Sequence, residues 1–83
     1  MKKVKIYTWT FCPFCVEAKN ILKKKNIAFE EIVIDGDQKA LSNLTEATDC
    51  STVPQIFVGE KFIGGCDDLK ALIEKKSFEE IFN

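Results

Sequence analysis

At residues 12–15 the sequence reads Cys-Pro-Phe-Cys, between a β-branched and aromatic run, Val4-Lys5-Ile6-Tyr7-Thr8, and a segment with the apolar spacing of a helix. Pro13 suits the first position of that helix, where its missing N–H costs no hydrogen bond. The sequence therefore places Cys12, partly exposed, at the first helical turn, where free N–H groups and the helix dipole favour a thiolate. Cys15 lies one turn further in, more buried but within reach of Cys12. This geometry suits thiol–disulfide exchange.

Length and composition describe an ordinary small globular protein. The 83 residues are enough for one core, and 46% of them are hydrophobic and 30% charged. A net charge of −1 gives no reason to expect nucleic acid or an anionic membrane as a partner. No apolar run reaches the length of a membrane span, and no signal-peptide core follows the amino terminus. We therefore expect one domain over residues 1–83, monomeric and cytoplasmic.

In a reducing compartment, the four cysteines are expected to be catalytic or metal-binding rather than structural. A small secreted protein with two disulfides is the alternative.

Periodicity and turn residues predict the next two elements. A second strand runs from Phe29 to Ile34, and Asp37 is placed to cap a second helix that ends near Thr48-Asp49. The apolar face of this helix is marked by Leu41, Leu44 and Ala47.

The last third of the chain begins with a hairpin. Residues 55–58 and 61–63 form two apolar runs joined by Gly59-Glu60, and a two-residue connection that starts with glycine is typical of a II′ turn. A helix opens at Cys66-Asp67-Asp68, where acidic side chains favour the helix dipole. Ser77-Phe78-Glu79-Glu80 fits a capping box for a short final helix.

The element order is β-α-β-α-β-β-α with a terminal helix. Two strands joined through a helix are expected to be parallel, with a right-handed connection, and the final pair is antiparallel. The sequence therefore predicts an α/β fold with a mixed four-stranded sheet and helices on both faces.

With these elements assigned, the chain resembles a glutaredoxin over nearly its whole length. The resemblance rests on three motifs in order: Tyr7-Thr8 followed by residues 12–15, then Thr52-Val53-Pro54-Gln55-Ile56-Phe57, then Ile63-Gly64-Gly65-Cys66-Asp67-Asp68-Leu69. It implies a thioredoxin-like fold, glutathione as co-substrate and proteins that carry disulfides as partners. It also implies that Cys12 is the nucleophile and Cys15 the resolving thiol.

The resemblance further implies a glutathione site. Pro54 is expected to be a cis-proline facing Cys12, and Val53 to offer its backbone to the cysteinyl group of glutathione. Backbone N–H groups of Cys66 and Asp67 are expected to hold the γ-glutamyl carboxylate, and the Asp67 side chain its ammonium. The implied glutathione-binding residues are Phe14, Thr52, Val53, Pro54, Gly65, Cys66 and Asp67.

Two positions depart from the pattern of the family. Trp9 stands where many relatives have a lysine, and Cys50 and Ser51 stand where many have an arginine. Both cations usually approach the glycine carboxylate of glutathione, so weaker binding of that carboxylate is expected.

The expected reaction is the reduction of protein–glutathione mixed disulfides and of other disulfides. The chain has no histidine, which excludes a Cys–His base arrangement. A glutathione-ligated iron–sulfur carrier and a thioredoxin-type reductase are the alternatives, and no resident metal is expected. The blander interpretation treats Cys12 and Cys15 as small apolar residues. The thiols of Cys50 and Cys66 could be inert or redox-active.

Overall fold

Within residues 2–75 and 78–82, which the computed structural model describes, eight elements follow one another in the predicted order. The strands are β1 (Val4–Thr8), β2 (Glu30–Val33), β3 (Gln55–Val58) and β4 (Lys61–Gly64). The helices are α1 (Pro13–Lys24), α2 (Gln38–Thr48), α3 (Cys66–Glu74) and α4 (Phe78–Phe82).

The four strands form one mixed sheet in the order β2-β1-β3-β4. β1 pairs with β2 in parallel, with Tyr7 beside Ile32, and with β3 in antiparallel register, with Ile6 beside Ile56. The β3–β4 pair is the predicted antiparallel hairpin. The predicted α/β fold with a thioredoxin-like sheet is therefore confirmed.

Both faces of the sheet are covered by helices. Because successive side chains of a strand point to opposite faces, β1 sends Val4 and Ile6 to one face and Tyr7 to the other. The larger core joins Val4, Ile6, Ile56 and Val58 to residues of α1, α3 and α4, among them Ala18, Leu22, Leu69 and Phe82. The smaller core joins Cys12, Cys15 and Val53 to Leu44 of α2. The thiol pair, at the start of α1, therefore packs into the core that α2 covers.

The hairpin turn has the predicted geometry. Val58 pairs with Lys61 across Gly59-Glu60, Gly59 has a φ of +62°, and Glu60 is not among the described residues with positive φ. A positive φ at the first turn position alone distinguishes a II′ turn from a I′ turn.

Local predictions differ from the structure in two elements, β2 and α2. β2 is shorter than the predicted 29–34 at both ends: it begins at Glu30 rather than Phe29, and Ile34 lies beyond its end, buried, with its N–H donating to the Thr8 carbonyl at 2.9 Å. Ala47 is exposed, so its place on the apolar face of α2 was wrong. Asp37 does cap α2, accepting from the Ala40 N–H at 3.0 Å. Ser77 of the predicted capping box lies outside the described residues.

Candidate active site

Cys12 caps the amino terminus of α1. Its backbone is extended, with φ −144° and ψ 103°, and its Sγ accepts a hydrogen bond from the Cys15 N–H at 3.2 Å. Pro13 occupies the first helical position, as predicted. The sulfur therefore lies where the unpaired N–H groups and the positive end of the helix dipole stabilise negative charge.

The two thiols differ in burial. Cys12 is 9% exposed and Cys15 is 1% exposed. Cys12 is thus more covered than the sequence predicted, whereas the deeper burial of Cys15 is as predicted. Burial, followed by the hydrogen bond and the charge of Cys12, raises the pKa of Cys15 from 9.0 to about 12. Cys15 is therefore a neutral thiol at ordinary pH, and the pair is chemically unequal.

The loop before β3 passes beside the Cys12 sulfur. The Val53–Pro54 peptide bond is cis, as the resemblance implied, and Cys12 Sγ lies 3.9 Å from the Val53 carbonyl oxygen. Gly65 lies close to the same loop, since a Cβ there would come within 3.3 Å of the Pro54 carbonyl oxygen. The start of α3 and the thiol pair are therefore brought together through Val53 and Pro54.

The amino terminus of α3 follows a glycine and leaves backbone N–H groups without helical acceptors. Gly65 is the N-cap, and its N–H donates to Asp68 Oδ2 at 3.0 Å. The next backbone N–H groups, those of Cys66 and Asp67, belong to the first turn, where a helix has no internal acceptors for them. Such a terminus is suited to a carboxylate. Asp67 is exposed, so its carboxylate is open to solvent beside this terminus.

A groove with a volume of about 220 Å³ runs between this helix terminus and the loop before β3. All seven residues that the resemblance implied for glutathione binding line it. They are Phe14, Thr52, Val53, Pro54, Gly65, Cys66 and Asp67. Cys50 and Asp68 also line it, and neither was among the implied glutathione-binding residues. Their nearness in sequence to Thr52 and Asp67 was the available signal.

Trp9 and Ser51 are not among the residues that line this groove. Trp9 instead lines a separate depression with Ile34 and Leu41. The groove lining, all of it in the described part of the chain, includes no lysine, and the chain has no arginine.

The Cys66 side chain is buried, unlike a reactive thiol, although the backbone N–H of the same residue belongs to the first turn of α3. It is 4% exposed, and burial, followed by the nearby Glu17 carboxylate, raises its pKa. Glu17 is itself paired with Lys70 of α3. Of the two interpretations left open for this thiol, the inert one is favoured.

In residues 2–75 and 78–82, no three His, Cys, Asp or Glu side chains are grouped so that they could hold a metal ion. Over the same residues, no helix combines the length and the hydropathy needed to cross a membrane.

Comparisons with known proteins agree with this geometry. A family model described as glutaredoxin matches residues 4–63. The chain is 46% identical to a glutaredoxin of Pseudomonas aeruginosa over 72 residues, covering 87% of this chain and 86% of the relative. It is 44% identical to glutaredoxin 3 of Escherichia coli K12 over 72 residues, covering 87% of each.

Solved structures show the same fold. The dithiolic glutaredoxin 2-C-Grx1 of Trypanosoma brucei brucei superposes with a TM-score of 0.90 at 29% identity, covering 99% of this chain and 88% of that one. Glutaredoxin 1 of Francisella tularensis, complexed with cacodylate, gives 0.80 at 41% identity, covering 92% and 96%. A buckwheat glutaredoxin–glutathione complex gives 0.92 at 23% identity, covering 98% and 76%, and speaks to the fold alone.

Proposed function

This chain belongs to the glutaredoxin family, and we propose that it reduces protein–glutathione mixed disulfides and other disulfides through Cys12 and Cys15, with glutathione as co-substrate. Family and fold support a thiol–disulfide oxidoreductase in general. The proposal of glutathione rests on one observation. Seven residues from separated motifs line a single groove. One of them, Val53, has its carbonyl oxygen 3.9 Å from the Cys12 sulfur.

The groove supports one orientation for glutathione. Backbone N–H groups of Cys66 and Asp67 receive the γ-glutamyl carboxylate at the terminus of α3, and the Asp67 carboxylate receives the ammonium. The Val53 backbone pairs with the cysteinyl unit, which brings the glutathione sulfur to Cys12. Phe14, which is 59% exposed, flanks the ligand with an aromatic face.

In the first step, Cys12 as thiolate attacks the glutathione sulfur of the mixed disulfide. The new bond joins Cys12 to glutathione, and the substrate protein leaves as a thiolate that takes a proton from water. The Cys15 N–H stabilises charge on Cys12 Sγ before and during the attack. Cys15 does not compete as a nucleophile here, because its raised pKa keeps it protonated.

Two routes resolve the mixed disulfide that Cys12 forms. A second glutathione thiolate attacks the glutathione sulfur, releasing glutathione disulfide and the Cys12 thiolate. On protein disulfides, Cys12 first attacks one sulfur of the substrate, so that the other sulfur leaves as a thiolate and the substrate stays bonded to Cys12. Cys15 then loses its proton to water and attacks the Cys12 sulfur, which forms the Cys12–Cys15 disulfide and releases the second substrate thiolate. The proposed setting is a monomer in the cytoplasm.

The test is turnover of a glutathionylated peptide coupled to glutathione reductase, with the parent, Cys12→Ser and Cys15→Ser. We expect Cys12→Ser to be inactive and Cys15→Ser to retain activity, because only Cys12 forms the bond to glutathione in the first route. Equal loss in both variants would support a strictly two-thiol route. A parent that reduces protein disulfides without glutathione, and never uses the glutathionylated peptide, would refute the proposal.

A further inference from the structure

Gln55 is a fully buried polar side chain that the proposed reaction does not use. It opens β3 beside Tyr7 of β1 and is 0% exposed. A buried amide is costly unless its hydrogen bonds are made. Throughout the described residues, no buried side-chain nitrogen or oxygen lacks a partner. The partners of Gln55 therefore show what its burial achieves.

Both donors of the Gln55 amide point to the loop before β3. Nε2 donates to the Cys50 carbonyl at 2.8 Å and to the Thr52 carbonyl at 3.0 Å, which uses both of its N–H bonds. Gln55 Oε1 lies 3.1 Å from the hydroxyl of Thr48, the last residue of α2. The amide thus connects one strand, one helix and the loop between them.

Thr48 holds the same loop from the other side. Its Oγ1 accepts from the Cys50 N–H at 3.2 Å, and its single proton faces the Leu44 carbonyl at 2.7 Å as well as Gln55 Oε1. Both backbone polar groups of Cys50 are therefore held by side chains that stand on regular elements. We call Thr48 and Gln55 the loop clamp.

The segment under the loop clamp is a wall of the groove. Cys50 and Thr52 line the groove, and Val53 and Pro54 link them to β3. We propose that Gln55, together with Thr48, is a positioning residue that fixes this wall and so sets the affinity of the groove for its disulfide substrate. This inference rests on the proposed function, and it adds residues that do not touch the ligand.

The loop clamp is expected to act on substrate binding rather than on the chemical step. Cys12 is held by α1 and by the Cys15 N–H, and neither depends on Gln55; its longer contact, 3.9 Å to the Val53 carbonyl oxygen, is with the residue that follows the clamped Cys50–Thr52 segment. A loosened Cys50–Thr52 wall therefore leaves the nucleophile in place and misplaces groups that contact the ligand. This predicts a rise in KM with kcat preserved.

The experiment compares Gln55→Met, which is similar in size but has no amide, with Val58→Ala. Val58 lies on the same strand and is buried in the larger core, away from the loop clamp. With the glutathionylated peptide, Gln55→Met is expected to raise KM about tenfold, the equivalent of one misplaced hydrogen-bonding group. In Val58→Ala, KM is expected to stay near the parent value, although the fold is destabilised. Equal KM values in the two variants would overturn the inference.

A second pair covers the case in which Gln55→Met does not fold. Thr48→Val removes the hydroxyl at nearly constant shape, whereas Thr48→Ser keeps it. We expect Thr48→Val to raise KM and Thr48→Ser to stay close to the parent. If both change KM alike, the hydroxyl is not the positioning group.

Hydrogen exchange separates this inference from the proposed function. The Cys50 N–H is expected to be protected in the parent and to exchange faster in Gln55→Met and Thr48→Val. Unchanged protection would refute the loop clamp, whatever the activity. Lost protection with a parent that ignores glutathione would instead leave the loop clamp standing and refute the proposed substrate.

Discussion

Replacing Gly64 with alanine tests how the start of α3 is built. Gly64 ends β4 with a φ of +117°, a conformation that side chains with a Cβ rarely adopt. A Cβ at this position would overlap the carboxylate of Asp68 and come within 2.6 Å of the Asp68 Cβ. Asp68 accepts the Gly65 N–H at the terminus proposed to hold the γ-glutamyl carboxylate. Gly64→Ala therefore strains the backbone and disturbs the helix cap together.

The expected decrease in the free energy of unfolding of Gly64→Ala follows from these two effects. Forcing a side chain into this backbone region costs about 1–3 kcal/mol. Relieving an overlap that includes a Cβ costs roughly another 1–3 kcal/mol. The sum, about 2–6 kcal/mol, is a large part of the roughly 4–12 kcal/mol expected for a domain of 83 residues. Gly64→Ala should therefore unfold at much lower urea concentrations than the parent.

Gly59→Ala is the matched control. Gly59 also has positive φ, +62°, but a Cβ there would meet nothing within 4 Å, so only a backbone cost of about 1–2 kcal/mol is expected. Urea unfolding of both variants, followed by circular dichroism, gives the two free energies. Any folded Gly64→Ala should also show a raised KM for the glutathionylated peptide, whereas Gly59→Ala should not. Equal losses of stability in the two variants would refute the reasoning.

Two further predictions concern single thiols. Cys50→Arg should lower KM for the glutathionylated peptide by about two- to fivefold at low salt, because it adds a cation to a groove whose lining includes none. Cys50→Gln adds length without charge, and an equal gain in that variant, or a gain that persists in high salt, would argue against the charge. The pKa of Cys15, raised in the fold from 9.0 to about 12, predicts a stability that is intact below pH 9 and falls as the pH rises toward 12, by up to about 1.4 kcal/mol per pH unit. Urea unfolding between these values should show a shallower fall in Cys15→Ser than in the parent.

The sequence predicted the elements because each carries its own local signal. Pro13 and Asp37 mark helix starts through their backbone chemistry, and Gly59 marks the turn of the hairpin. These features depend on local backbone chemistry, so they can be predicted without knowledge of the tertiary packing. Ala47 was misplaced because the boundary of an apolar face depends on what packs there. At that end of α2 the contact is made by Thr48, through a hydrogen bond rather than an apolar surface.

The candidate site was predictable only in part for the same reason. Residues of the three motifs were found because the resemblance assigns them, and the structure places all seven proposed ligand contacts along one groove. Cys50 and Asp68 line the groove because of the path that the backbone takes, and the periodicity of the sequence does not predict that path. The role of Gln55 depends on its distance from two carbonyls several residues earlier in the chain. The sequence of the strand alone therefore does not predict these hydrogen bonds, which depend on the conformation of the loop.

The unequal chemistry of the two thiols comes from position on a helix rather than from a dedicated base. Cys12 and Cys15 are the same side chain three residues apart, and the chain has no histidine to deprotonate either one. The N-cap position gives one sulfur an N–H donor, while the next turn buries the other and raises its pKa. The protonated Cys15 adds no negative charge beside the Cys12 sulfur. Inserting one residue between the cysteines would rotate Cys15 by about 100° around α1 and remove the burial that raises its pKa, although each cysteine would still be present.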